Sequence, residues 1–232
     1  MPNRDHSPSA PTGGAYPLLV GLFTALLVVS NVSAVKLIGL GTVDLFGGRF
    51  DVTVDGGVFL FPLTYILGDV LAEVYGFPAA RRAILLGFIC AALGVLSFWL
   101  VQISPAATGW TGQEAYDSIL GFVPRSVGAS LAGYLVGQLL NALTLTTMKR
   151  RSGGRTDGSG GALWVRLLGS TAVGELADTV VFCTIAFFGV ITGPQFIGYV
   201  VLGYLYKCLV EVVLLPVTYS LVALLRRRDG PV

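Results

Sequence analysis

Six apolar stretches, each about long enough to cross a bilayer, alternate with short polar connections along the chain. They cover roughly 17–38, 57–75, 83–103, 126–147, 165–190 and 195–225, and each predicts a spanning helix. The last stretch is long enough to tilt or to break near Pro216. Segment 43–57 follows a different rule. Val43 and Leu45 alternate with polar residues before Gly47-Gly48, and Phe50, Val52 and Val54 alternate after it. Alternation about a Gly-Gly turn predicts a short β-hairpin between the first two helices, either a lid over a cavity or an ordered loop. The predicted fold is all-α: a polytopic membrane protein of six transmembrane helices with a short outer β-hairpin.

One membrane domain is expected over 17–225. Residues 1–16 are rich in Pro, Ser and Gly and read as a disordered cytoplasmic N-terminus. No A-x-A-like site follows the first apolar run, so a cleaved signal peptide is not expected. The segment RRSGGRTDGSGG (150–161) reads as a flexible cytoplasmic linker joining two halves of three helices, with no convincing repeat between them. Residues 226–232 form a cytoplasmic tail.

Composition supports the membrane reading. The 232 residues are 54% hydrophobic and 12% charged, against about 25% charged in soluble domains, and mean hydropathy is +0.77. Lys and Arg are distributed unevenly. Arg4, Arg81, Arg82, Lys149, Arg150, Arg151, Arg155, Arg166 and Arg226–Arg228 all fall on one side of a six-span topology. Only Lys36, Arg49 and Arg125 fall on the other, among Asp44, Asp51, Asp55, Glu114 and Asp117. The positive-inside rule then places both termini in the cytoplasm of a multi-pass plasma (inner) membrane protein. The 226–228 arginines read as a topology anchor touching anionic lipid, and no nucleic-acid surface is evident.

Charge inside the spans is the chemical signal. Asp69 and Glu73 lie four apart, Glu175 and Asp178 three apart, and Lys207 and Glu211 four apart, so each pair shares a helical face. Charge at the bilayer centre costs a few kcal/mol even on lenient scales, and such residues usually face a cavity or a partner. Asp69, Glu175 and Lys207 each sit roughly 15–18 Å into their spans, near mid-membrane. Five acids face one lysine there. Unmatched carboxylates want protons, a cationic ligand or a donor-rich ligand. A buried structural network is the competing reading, with Lys207 paired to Asp178 or Asp69 and Glu73 to a cytoplasmic arginine.

Neutral polar residues add to the chamber: Ser30, Asn31 and Ser33 in the first span, Gln138 and Asn141 in the fourth. Phe59, Phe61, Tyr65, Tyr204 and Tyr206 could cover a planar ring. Small-residue steps at Gly133–Gly137 and Gly21–Ala25 suit close helix contact. Cys90, Cys183 and Cys208 lack C-x-x-C spacing and read as packing residues, and His6 alone builds no site. No cofactor, metal or catalytic residue is expected. G-x-S-x-G and H-E-x-x-H are absent, which leaves hydrolase and zinc chemistry without support. Mixed-sign charge at one depth also disfavours a channel.

Four blocks carry a resemblance: SNVSAVKLIGL (30–40), FPLTYILGDVLAEVYGFPAARRAILLGF (61–88), GELADTVVFCTIAFFG (174–189) and GYLYKCLVEVVLLPVTY (203–219). Together they resemble the VUT (YhhQ-like) family of vitamin-uptake and queuosine-precursor transporters, over about 17–225. The second block is the most specific, matching F-P-x-T-x-x-x-x-D-x-x-x-E-x-x-G and a basic turn. The resemblance implies a six-helix inner-membrane importer of a deazaguanine precursor of the tRNA base queuosine. It also implies a distant likeness to the substrate-binding components of energy-coupling-factor transporters. Its site residues land on Asn31, Asp69, Glu73, Glu175, Asp178 and Lys207, although Glu175 stands where relatives often have Asn. With Gln138 and Asn141 these form the expected substrate site. The small-molecule partner is a cyano- or aminomethyl-deazaguanine, carried by a secondary carrier. The alternative is a substrate-binding subunit driven by ATP-hydrolysing partners. Homodimerisation is left open.

Overall fold

A computed structural model describes residues 14–45, 48–151 and 160–229. Most of the N-terminal segment, the greater part of the 150–161 linker and the last residues of the tail lie outside the described residues. The described chain forms α1 (Tyr16–Ser33), β1 (Leu37–Leu45), β2 (Gly48–Asp55), a 3-10 turn (Gly56–Phe59), α2 (Phe61–Tyr75) and α3 (Phe77–Gln102). It continues with α4 (Gln113–Leu120), α5 (Val123–Arg151), α6 (Gly160–Phe187) and α7 (Pro194–Asp229).

Proline opens most of the long helices. Pro17, Pro62 and Pro78 stand in the first turns of α1, α2 and α3, Pro124 is the second residue of α5, and Pro194 begins α7. A missing N–H costs nothing there, and the fixed φ is already helical. Between α2 and α3 the elbow is a single residue, Gly76, whose φ of 81° a side chain would resist. Five helical segments are long and apolar enough to cross a membrane. Many large apolar side chains face outward, among them Leu85, Leu93, Trp99, Leu135, Leu209 and Val213. In water such a surface would aggregate, whereas in a bilayer it faces acyl chains. The chain is a multi-pass membrane protein.

Several expected boundaries change. The first helix ends at Ser33 rather than near 38, because Leu37 already pairs with Asp55 at the base of the hairpin. The hairpin therefore spans 37–55 and is longer than the alternating positions suggested. Gly48 belongs to β2, opposite Leu45, and the rest of the expected Gly47-Gly48 turn lies outside the described residues. The second helix has 15 residues, about 22 Å, because the 3-10 turn takes its first expected residues. That is short of a full hydrocarbon core. α7 continues through Pro216 without a break. The amphipathic α4, which buries no residue, lies between the third and fourth expected spans.

The membrane helices close a ring. α5 packs on α6, α6 on α7, α7 on α2, α2 on α1 and α3, and α1 and α3 on α5. Two apolar clusters hold it. One joins α1, α2, α3 and the end of α7 through residues such as Phe23, Leu71, Ala83 and Leu225. The other joins α5, α6 and α7 through Ala129, Phe182, Phe187 and Tyr199. α5 and α6 approach at backbone distance. A Cβ on Gly137 would lie 2.9 Å from Gly174 O, and one on Gly174 would lie 2.9 Å from Gly137 O. The Gly133–Gly137 step thus serves the close contact its spacing suggested, while Gly21 has open space beside it.

Candidate functional site

The ring encloses a cavity of about 470 Å³, within the range typical of small-molecule sites. Each helix lines it with residues three or four apart. α2 contributes Phe61, Thr64, Tyr65, Asp69 and Ala72, and α7 contributes Tyr199, Gly203, Lys207 and Glu211. α5 adds Ser130, Tyr134, Gln138 and Asn141, and α6 adds Cys183, Thr179, Asp178 and Glu175. Helical periodicity alone explains why polar residues scattered over four spans meet on one inner face.

Six of the eight expected site residues line this cavity: Asp69, Gln138, Asn141, Glu175, Asp178 and Lys207. Lys207 donates to Asp178 in an ion pair that crosses from α7 to α6. Glu175 differs. Its Oε2 is buried and has no hydrogen-bond partner among the described residues. No salt bridge reaches Asp69 or Glu211 among the described residues either. Both border a small cleft between α2 and α7 as well as the main cavity.

The remaining two lie elsewhere. Glu73 points away from the cavity and is well exposed, where it accepts from Arg226 Nη2 at 3.1 Å. The cytoplasmic arginine expected for it, Arg81 or Arg82 by nearness in sequence, is in fact Arg226, because the end of α7 returns beside α2. Asn31 is fully buried behind the wall. Its Nδ2 donates to Leu27 O at 2.8 Å, and its Oδ1 accepts from Ser130 Oγ at 2.7 Å.

Of the expected aromatics, Phe61, Tyr65 and Tyr206 line the cavity. Phe59 is 70% exposed, and Tyr204 donates to Ala172 O at 3.3 Å.

The hairpin, expected either to lid a cavity or to be an ordered loop, supplies one wall. Thr53, Val54 and Asp55 of β2 and Val58 of the 3-10 turn face the cavity. Asp55 Oδ1 caps that turn by accepting from Gly57 N at 2.9 Å, and Oδ2 accepts from Tyr199 Oη at 2.7 Å. Burial pushes the Asp55 carboxyl above the usual carboxylate range, and its hydrogen bonds with Tyr199 and Gly57 oppose that rise. Gln195 Nε2 donates to Asp51 Oδ2 at 3.1 Å, and Tyr206 Oη donates to Val58 O at 2.8 Å. Three tethers thus fix the hairpin and its turn to α7. Asp55 could have been singled out by its place between an alternating strand and a Gly-Gly pair, a capping signal. Arg81, at the start of α3, also borders the cavity.

Comparison with known proteins agrees with this architecture. Residues 55–221 match the family model described as "Putative vitamin uptake transporter". The chain is 32% identical over 206 residues to a Bacillus subtilis protein named "Probable queuosine precursor transporter", covering 87% of this chain and 83% of that one. It is 26% identical over 213 residues to the Escherichia coli "Queuosine precursor transporter", covering 90% and 87%. A Haemophilus influenzae protein named "Probable queuosine precursor transporter" is 26% identical over 169 residues, covering 72% and 67%. No solved structure matches the chain, so the expected likeness to energy-coupling-factor components finds no support there. The match over most of the membrane region, with relatives aligned over most of their own length, makes this chain a member of the vitamin uptake transporter family that its motifs resemble.

Proposed function

We propose that the chain imports queuosine precursors, cyano-deazaguanine or aminomethyl-deazaguanine, across the plasma membrane as a secondary carrier with both termini cytoplasmic. The observation that carries this reading is the buried, donor-less Glu175 Oε2 in a closed ring of helices. A guanine-like ring presents an N–H and an amino group side by side, and a carboxylate accepts from both. Lys207 and the amides of Gln138 and Asn141 supply donors for a ring carbonyl. Tyr65, Phe61 and Phe182 supply aromatic surface. Asp69 and Glu211 favour a cationic aminomethyl arm. The names of the relatives supply the substrate class.

Purified protein should bind a deazaguanine in the micromolar range, and Asp69→Asn and Lys207→Met should each abolish that binding. Folded protein that binds neither deazaguanine nor guanine would refute the substrate assignment. Uptake by liposomes containing this chain alone would separate a carrier from an ATP-driven binding subunit. Accumulation undiminished by a collapsed proton gradient would exclude proton coupling.

A further inference from the structure

We infer that Ser130 is a dedicated hydrogen-bond acceptor for a ligand N–H, and that Asn31 is the positioning residue that makes it one. This inference rests on the proposed deazaguanine site and assigns a specificity role within it.

The chain of hydrogen bonds fixes where each proton lies. Leu27 O can only accept, so the Asn31 group 2.8 Å from it is the amide nitrogen. The Asn31 oxygen therefore faces α5, where Ser130 Oγ lies at 2.7 Å and Ser126 Oγ at 3.4 Å. An amide oxygen carries no proton, so both hydroxyls must donate. Ser130 has one proton and commits it to Asn31. What it presents to the cavity is a lone pair. Asn31 is fully buried, and turning its amide over would set its oxygen against Leu27 O, acceptor against acceptor.

The same logic recurs around the wall. Thr64 Oγ1 donates to Phe61 O at 2.7 Å, Thr179 Oγ1 to Glu175 O at 2.8 Å, and Tyr206 Oη to Val58 O at 2.8 Å. Tyr199 Oη donates to Asp55. All four residues line the cavity, and each has spent its proton on the protein. Together with the carboxylates they line part of the wall with acceptors, beside the donors of Lys207, Gln138 and Asn141. A ligand rich in N–H donors satisfies such a wall, while one rich in acceptors leaves lone pairs facing lone pairs. Ser130, like Tyr199, donates to a side chain, but its partner Asn31 is held only by the carbonyl of its own helix, whereas Asp55 also caps the turn at Gly57. The polarity of Ser130 can therefore be changed without disturbing a backbone.

A site built to pair with a ligand donor rejects the analogue lacking that donor, and loses this discrimination when its own group is removed. The test measures binding of guanine-type bases whose N–H donors are deleted or methylated one at a time. It compares wild type, Ser130→Ala, Ser130→Thr and Asn31→Ala. For one donor position, Ser130→Ala should weaken the intact base by about tenfold, leave the donor-deleted analogue unchanged, and collapse the ratio between them. Ser130→Thr should restore the ratio. Asn31→Ala should lower the same ratio and add nothing in the Ser130→Ala background. Ratios within twofold of wild type at every donor position in Ser130→Ala would overturn the inference, and this variant decides alone if Asn31→Ala fails to fold. Wild-type protein that binds no guanine-type base would instead refute the proposed function, and the Ser130 assignment with it.

Discussion

Lys207 on α7 donates to Asp178 on α6, joining two neighbouring helices across the lining of one cavity. Their side chains are 17% and 25% exposed, so neither is freely solvated. Lys207→Met leaves Asp178 charged and unpaired in a poorly hydrated site, at a cost of about 3 kcal/mol. Thermal unfolding in detergent should show the variant destabilised, and Lys207→Met with Asp178→Asn should recover most of that loss. Neither variant should transport.

Glu175 is expected to behave in the opposite way. Its Oε2 is buried without a donor among the described residues, so no hydrogen bond there offsets the burial of the carboxylate. Glu175→Gln should leave thermal stability equal or higher while weakening ligand binding by about tenfold or more. A parallel loss of stability would show that the carboxylate serves the fold.

Asp69 and Glu73 lie one helical turn apart and should separate cleanly. Glu73 meets Arg226 at an exposed surface, where ion pairs contribute little. Glu73→Gln should keep ligand affinity within about twofold, and Asp69→Asn, facing the cavity, should abolish binding. Titration of both variants against one ligand checks the contrast.

Cys183 offers a native reporter. Its side chain is buried yet lines the cavity, while Cys90 and Cys208 are half-buried and outside the lining. With Cys90 and Cys208 replaced by Ser, a small alkylating reagent should modify Cys183 slowly, and saturating ligand should slow it further. Equal rates with and without ligand would place the ligand away from α6.

The hairpin wall is tested by Tyr199→Phe. Burial raises the Asp55 carboxyl, and the Tyr199 hydroxyl is one of the groups that stabilise its charged form. Removing that donor should destabilise the hairpin attachment by about 1–3 kcal/mol. Cleavage by protease within the hairpin should accelerate.

Much of this was legible in the sequence. Apolar runs of membrane length located the long helices, five of which are long and apolar enough to span, and spacings of three and four placed Asp69, Glu175, Asp178 and Lys207 on one lining. What failed was tertiary. Glu73 shares a face with Asp69 on a helical wheel, but the end of α7 brings Arg226 to it from 153 residues away. Asn31 looked like a ligand residue because it is polar within a span. Only the packing of α1 on α5 shows that Ser130 stands between it and the cavity. Asp55 looked like one more outer acid, since nothing local announces that Tyr199 will reach it from 144 residues away.

The glycine contact between α5 and α6 has a mechanical consequence. Separating these helices would open a contact so close that neither Gly137 nor Gly174 has room for a Cβ, which favours their moving as one lever. Tyr199, Gln195 and Tyr206 bind the hairpin and its turn to α7, so these form a second lever. Between the two runs the Lys207–Asp178 pair, a latch made of the same charges a ligand would seek. At the proposed site, a guest that competes for either charge would loosen the latch as it settles, so occupancy and shape would be exchanged through one bond.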